Sequence, residues 1–229
     1  MSVFFTENVL SGCAETTLCG EDAHHIARAL RMAVGDTLTV CDGEGHAYRC
    51  CITGFNEDRE VYLSVPDAFL PSAEPPYEVD LFQGLPKGEK TESIIQKAVE
   101  GGISSVTLFI GECSVMQMKA DSEPRKAERR KKIIREAAVQ SGRNKIPALE
   151  PTVSFSRVVS RAGDYDLALF CYEGAGTQGL GSVLADFSQE EGRVPRIALL
   201  IGPEGGFSRR EAEAAVAAGW QPVGLGPRI

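Results

Sequence analysis

The sequence lacks several features that would define its class at once. It has no apolar run near the roughly 18–20 residues that a membrane-spanning helix needs. Its first residues lack the basic and apolar segments of a secretory signal. It has only three histidines, and its seven cysteines form no Cys-x-x-Cys pair, so no metal site is predicted. We expect a cytoplasmic protein with reduced thiols, no metal and no membrane partner.

Charge is distributed unevenly along the chain. The net charge is −8, yet residues 119–145 carry ten basic and four acidic side chains, a local balance of +6. A run of this kind is common on the solvated face of a helix, and it also suits a patch that binds phosphates. The charge pattern alone leaves both interpretations open.

A proline-rich stretch, residues 66–78, predicts a linker because proline neither continues a helix nor fits the middle of a sheet. It divides a small module, residues 1–70, from a larger one, residues 71–229. In the first module a short helix is predicted at 22–30. Strands are predicted at 37–41, 46–53 and 60–65, with a hairpin turn at 42–45. Short strands with tight turns favour a small antiparallel barrel.

The second module alternates strands and helices. Strands are predicted at 79–83, 106–110, 167–171, 197–201 and 222–225, and helices at 91–100, 124–140 and 208–218. This order predicts the α/β class with a parallel sheet covered on both faces.

A glycine-rich loop follows the apolar strand 197–201 and precedes a helix that Ser208 and Glu211 can cap. Ligands of open α/β sheets bind at the carboxyl ends of strands, where glycines allow close approach of the backbone. The loop is therefore a candidate ligand site with Glu204 at its mouth; a tight turn with a solvated glutamate is the alternative.

Three other features are less specific. Residues 174–179 match the dinucleotide fingerprint G-x-G-x-x-G, but they lie late in the chain, and a cofactor-adjacent loop of another α/β fold is favoured. Arg143 follows the basic helix on a loop, where it could clamp a phosphate or face the helix dipole. His24 and His25 are interpreted as packing or capping residues.

Five stretches in order carry a resemblance to a known family. They are Gly35-Asp36 with the Asp42-Gly43 turn, Lys87-Gly88 with residues 92–100, residues 140–143 with Pro147, residues 201–207 with Glu211, and residues 225–229. Together they resemble the SPOUT-class RNA methyltransferases, and among these the ribosomal RNA small subunit methyltransferase E family.

The resemblance implies a fold, a reaction and partners. The fold would be a PUA-like β-barrel that docks RNA, followed by a SPOUT domain with a trefoil knot, an exception to the rule that chains are unknotted. The protein would be a homodimer that uses S-adenosyl-L-methionine, without a metal, to methylate N3 of one uridine in 16S ribosomal RNA of the small subunit.

The resemblance also implies site residues. The cofactor would be bound by Tyr172, Glu173, Gly202, Pro203, Glu204, Gly205, Gly206, Leu225 and Gly226. RNA would be contacted by Lys126, Arg129, Arg130, Arg143 and Lys145. Glu204, Arg228 and Arg143 are the candidate catalytic residues, Glu204 as a base and Arg228 as a charge stabiliser.

The sequence departs from the family's pattern at Ile229, where the family continues with a segment that closes the knot. Part of the cofactor pocket is therefore expected to lie outside this sequence. Three alternatives remain open: a SPOUT methyltransferase acting on another RNA such as tRNA, an inactive RNA-binding homologue, and, more remotely, a nicotinamide oxidoreductase.

Overall fold

A computed structural model describes residues 3–6, 10–43, 45–57, 60–66, 69–70, 72–88, 90–114, 123–174, 176–188 and 192–226. The chain divides into two compact units. The first comprises residues 1–74 and 136–146, and the second comprises 75–135 and 147–229. The sequence suggested one break at 70/71, whereas the first unit also takes in a later segment, 136–146.

The first unit is built on a five-stranded sheet of order β1-β3-β4-β5-β2. Its strands are β1 (Val3–Phe5), β2 (Glu15–Leu18), β3 (Thr37–Cys41), β4 (Ala47–Phe55) and β5 (Val61–Ser64). Neighbours pair antiparallel except β1 and β3, which are parallel. Helix α1 (Gly20–His24) continues into a π-helical turn, His25–Ala29.

The core of the first unit lies on the face of this sheet that the helical segment covers. Alternate strand residues such as Leu38, Val40, Ile52 and Leu63 are buried there together with Ile26 of the π-helical turn. The alternation follows from a strand's period of two, although Thr39 and Cys41 on the other face of β3 are buried as well. It also explains why strand 37–41 could be predicted from its pattern.

The second unit is an α/β unit with a seven-stranded parallel sheet of order β10-β12-β9-β11-β6-β7-β8. Its strands are β6 (Glu78–Gly84), β7 (Ser105–Ile110), β8 (Ala148–Ser154), β9 (Leu167–Cys171), β10 (Gln178–Gly179), β11 (Arg196–Ile201) and β12 (Gln221–Gly224). Its helices are α2 (Lys90–Glu100), α3 (Glu123–Ser141), whose last turns belong to the first unit, α4 (Phe155–Val159), α5 (Leu180–Asp186) and α6 (Arg209–Ala217), with a 3₁₀ turn at Ala162–Asp164.

Both faces of the parallel sheet are covered, as predicted. On one face, Ala168 and Phe170 of β9 pack in a cluster with Trp220. On the other face, Leu167 and Leu169 pack with Val183 of α5. Alternate residues of one strand thus enter two separate cores, so strands such as β9 are apolar throughout. The predicted fold class is confirmed at the level of a parallel α/β sheet preceded by a small β unit.

Candidate active site

A cleft of about 590 Å³ opens at the carboxyl ends of three adjacent parallel strands, β9, β11 and β12. This is the edge at which ligands of open α/β sheets bind. The cleft is lined by Cys171, Tyr172, Glu173, Gly174, Ile201, Gly202, Pro203, Glu204, Gly205, Gly206, Phe207, Val223 and Leu225. Eight of the nine residues that the sequence assigned to cofactor binding therefore lie around one cavity; Gly226 is not among the lining residues.

The loop after β11 is wedged tightly against its neighbours. A Cβ atom on Gly84, at the end of β6, would lie 2.4 Å from Cδ of Pro203 and 2.5 Å from its backbone nitrogen. A Cβ atom on Gly202 would lie 2.9 Å from the ring of Phe207. Backbone therefore packs directly on backbone here, and the loop presents its main chain to the cleft.

Gln83 of β6 bridges two strand ends beneath the loop. Its side chain is only 4% exposed, and its Nε2 donates to the carbonyl of Gly84 at 2.9 Å and to that of Gly202 at 3.1 Å. A buried amide bonded to a loop carbonyl holds that carbonyl in place. Sequence reasoning missed this role, although a polar residue at the end of an apolar strand was the available signal.

Tyr172 forms an aromatic wall of the cleft. Its ring stacks on Phe170 with centroids 5.2 Å apart and planes 11° apart. The same ring occupies the space beside Gly174, where a Cβ atom would lie 2.5 Å from Cζ. The first glycine of the G-x-G-x-x-G stretch therefore makes room for an aromatic ring of the cleft.

The rest of that stretch does not form a dinucleotide loop. Gln178 and Gly179 form a short strand that pairs with β12. The fingerprint requires a glycine turn that leads directly from a strand into a helix. The interpretation as a cofactor-adjacent loop accords with this geometry.

Glu204 is tied to the start of α2. Its carboxylate accepts the backbone N–H of Lys87 at 3.2 Å and a bond from Nζ of Lys90 at 3.0 Å. The bond from Lys90, with the backbone donors, lowers the pKa of Glu204 below its usual value. A carboxylate with a lowered pKa stays ionised and is a weaker base.

The charged side chains that line the cleft are acidic, although that of Glu204 is paired with Lys90. Among the described residues that line it, Glu173 and Glu204 are acidic and none is Lys or Arg. A cleft of this kind suits a cationic ligand, whereas the pyrophosphate of a dinucleotide calls for donors or positive charge.

Glu211 in α6 anchors the carboxyl-terminal end of the loop after β11. This side chain is only 4% exposed and completes the predicted capping box with Ser208. It also accepts the backbone N–H of Glu112, in the loop after β7, at 2.8 Å. That loop reaches the loop after β11 directly, because Cβ of Cys113 lies 3.1 Å from where a Cβ atom of Gly205 would be. The capping residue thus joins two strand-end loops beside the cleft.

The predicted RNA-binding cations fall into two groups. Lys126 and Arg129 on α3 and Lys145 in the first unit are exposed, although Arg129 also pairs with Glu92 at 2.7 Å. Arg130, in contrast, is buried against Glu123. The predicted RNA contact of Arg130 does not hold, because its charge is already matched by Glu123 inside the fold.

Arg143 also differs from its prediction. It is 6% exposed, and its Nη2 lies 2.6 Å from Oε2 of Glu74. In this conformation the guanidinium is held by a carboxylate of its own unit and is not presented to RNA. Arg228, the other predicted catalytic arginine, lies outside the described residues.

Comparison with known proteins identifies the family. Residues 73–229 match the RNA methyltransferase domain, and residues 18–63 match the RNA methyltransferase PUA domain. The ribosomal RNA small subunit methyltransferase E of Bacillus subtilis (strain 168) is 33% identical over 93% of this chain and 83% of its own length. The chain belongs to the ribosomal RNA small subunit methyltransferase E family. The predicted resemblance is confirmed.

Two solved structures are similar to this chain over nearly its whole length. The crystal structure of a hypothetical protein, 30% identical, superposes with a TM-score of 0.87 over 99% of this chain and 91% of the other. A protein of Legionella pneumophila, named as a methyltransferase and solved with the bound cofactor SAM, is 28% identical, with a TM-score of 0.80 over 99% and 90% of the two chains.

The described residues lack two features. They contain no helix long and apolar enough to cross a bilayer. They also contain no group of three or more His, Cys, Asp or Glu side chains placed to hold a metal ion.

Proposed function

We propose that this chain transfers a methyl group from S-adenosyl-L-methionine to N3 of a uridine in 16S ribosomal RNA, as a cytoplasmic homodimer. The observation that carries the proposal is the acidic, backbone-lined cleft at the carboxyl ends of β9, β11 and β12. Family membership and the SAM complex of the Legionella relative support it. The trefoil knot expected of the SPOUT class belongs to the same proposal.

The cleft fits this cofactor in size and in charge. Its volume of about 590 Å³ is within the range of roughly 300–1,000 Å³ for small-molecule sites. The bound cofactor would supply an electrophilic methyl on a positively charged sulfonium. Main-chain groups of Gly205 and Gly206 would meet its polar groups, and the ring of Tyr172 would offer a flat wall. Leu225 and Gly226 would complete the site from the end of β12.

As N3 takes the methyl and the sulfonium becomes a neutral thioether, the reacting uridine must give up its N3 proton to solvent water, and residues of the chain would stabilise the resulting anion. Glu204 was predicted as the base, but its lowered pKa argues for a different contribution. We propose that the ionised carboxylate attracts the cationic cofactor and fixes the loop on Lys87 and Lys90. Arg228 remains the proposed stabiliser of the uridine anion.

The reaction can be tested directly. Purified chain with radiolabelled S-adenosyl-L-methionine should label isolated 16S ribosomal RNA or small subunits, and nucleoside mass spectrometry should detect 3-methyluridine. Methylation of tRNA with none of the 16S RNA would support the other SPOUT activity. Cofactor binding without any transfer, or no cofactor binding, would favour the inactive RNA-binding homologue and contradict the proposal.

Glu204→Gln separates the two roles of that residue. We expect the affinity for S-adenosyl-L-methionine to fall a few-fold, while the single-turnover rate at saturating cofactor changes little, because an exposed ion pair contributes modestly. Glu173→Gln is the matched control: it removes the cleft's other carboxylate and shows whether the effect is specific to Glu204. A loss of about a hundredfold in the saturated rate, with a change in its pH profile, would instead identify Glu204 as the base.

A further inference from the structure

The first unit holds an aromatic side chain in an unusual position. Phe69 is 50% exposed. Its ring stacks on His46 with centroids 4.4 Å apart and planes 23° apart, and the buried Tyr48 meets it edge-on at 5.2 Å. Phe69 is therefore held by two neighbouring rings, while half of its side chain remains in solvent. Such a surface can accept a further planar group.

The surface is held rigidly. Asp42, whose side chain is fully buried, accepts the backbone N–H of His46 at 3.2 Å and contacts its Nδ1 at 3.1 Å. The backbone N–H of Leu70 donates to the carbonyl of Ala47 at 2.7 Å, which fixes the segment that carries Phe69. Rings that are already oriented lose little conformational freedom when a ligand stacks on them.

A cation, Lys145, lies beside the turn that contains Gly45 and His46. The aliphatic chain of Lys145 passes Gly45, next to His46, with Cε 2.7 Å from where a Cβ atom of that glycine would be. Asn144 donates from Nδ2 to the carbonyl of Gly45 at 3.3 Å. Lys145 is exposed. An aromatic stack and an exposed lysine therefore both lie against the turn that contains Gly45 and His46.

We propose that Phe69 and His46 form a stacking platform for an unpaired base of the RNA substrate, with Lys145 contacting an adjoining phosphate. The inference rests on the proposed function for its partner. Unpaired bases stack on aromatic and histidine rings, and this contact does not depend on a basic surface. Residues 1–70 hold four basic and eleven acidic side chains, so stacking rather than charge must supply affinity there. Phe69 and Lys145 lie outside the matched PUA residues, 18–63.

The first test measures RNA binding by the full chain. With a fluorescein-labelled, single-stranded decauridylate as the probe, Phe69→Leu should weaken binding about tenfold, because it keeps an apolar side chain but removes the π-face. Lys145→Ala should weaken binding a few-fold and reduce the salt dependence by about one phosphate contact. The matched control is Tyr62→Leu, which removes another exposed aromatic ring of the same unit and should leave binding unchanged.

The second test uses the conservative variant. Phe69→Trp should restore affinity, and its fluorescence should be quenched by the decauridylate, since the native Trp220 is 1% exposed and serves as a constant background. Unchanged affinity in Phe69→Leu, no quenching in Phe69→Trp, or no binding of the probe by the unaltered chain would overturn the platform. Methyl transfer to 16S RNA by the unaltered chain is read separately, so either proposal can fail without the other.

Discussion

Replacing Gly84 with alanine is expected to abolish most of the cofactor binding and to lower the melting temperature of the second unit. The added Cβ atom would lie 2.4 Å and 2.5 Å from atoms of Pro203 and 2.9 Å from the carbonyl carbon of Gly202. Two of these three atoms belong to the backbone, so no side-chain rotation relieves the overlap. Either β6 or the loop after β11 must move. Overpacking of this kind costs about 1–3 kcal/mol or more.

Gly181→Ala provides the matched control for Gly84→Ala. Gly181 lies in α5 of the same unit, and nothing lies within 4 Å of an added Cβ atom. Alanine there should leave cofactor binding unchanged and raise stability by up to about 1 kcal/mol, as expected inside a helix. Thermal unfolding and titration calorimetry with S-adenosyl-L-methionine measure both effects. If Gly84→Ala matched the unaltered chain in both, the close packing described for the loop would be incorrect.

Local pattern predicted much of the fold. Strands β3 and β9 have the bounds expected from the sequence, since each contributes apolar residues to a core. Strand β8 was missed because Glu150 and Pro151 interrupt its pattern. Proline is tolerated there because β8 is an edge strand, and its register with β7 shifts between Thr107 and Phe109.

The sequence predicted the part of the site that neighbouring residues determine. It did not predict contacts between residues that are far apart in the chain. Glycines after a strand indicated the loop of Gly202 and Gly206. The sequence could not show that Gln83 bonds to Gly202, 119 positions away. Nor could it show that Arg143 is matched by Glu74, 69 positions away. A basic run looks uniform in the sequence, and only the fold decides which of its charges are already paired.

The ion pair of the first unit leads to the second large prediction, a loss of about 3–5 kcal/mol of stability in Glu74→Gln. Glu74 accepts Nη2 of Arg143 at 2.6 Å and the backbone N–H groups of Asn144 and Lys145 at 2.8 Å and 3.0 Å. Both charged side chains are almost fully buried. Glutamine can still accept the backbone bonds, but it leaves the guanidinium charge without its carboxylate inside the unit.

A double-mutant cycle tests whether the loss comes from the broken charge pair of Glu74 and Arg143. Glu74→Gln with Arg143→Met removes both charges and keeps apolar volume, so it should recover most of the stability lost in Glu74→Gln alone. Urea unfolding of the full chain measures all four proteins. Exposed Glu128 pairs with Lys131 on α3, and Glu128→Gln is the control, with an expected change below about 1 kcal/mol. A double variant no more stable than Glu74→Gln would show that geometry, not charge, accounts for the loss.

The same pair predicts how stability depends on pH. Burial alone would raise the pKa of Glu74, but the bond and charge of Arg143 and the two backbone donors outweigh it, so the pKa is lowered below 4.5. A group whose folded pKa is depressed contributes stability that is complete above its unfolded pKa and is lost as the pH falls through the folded value. The stability difference between the unaltered chain and Glu74→Gln should therefore be constant near pH 7 and shrink below about pH 4.5 as the carboxylate takes up a proton. A difference that stays the same from pH 7 to pH 3 would mean that Glu74 does not stabilise the unit through its charge.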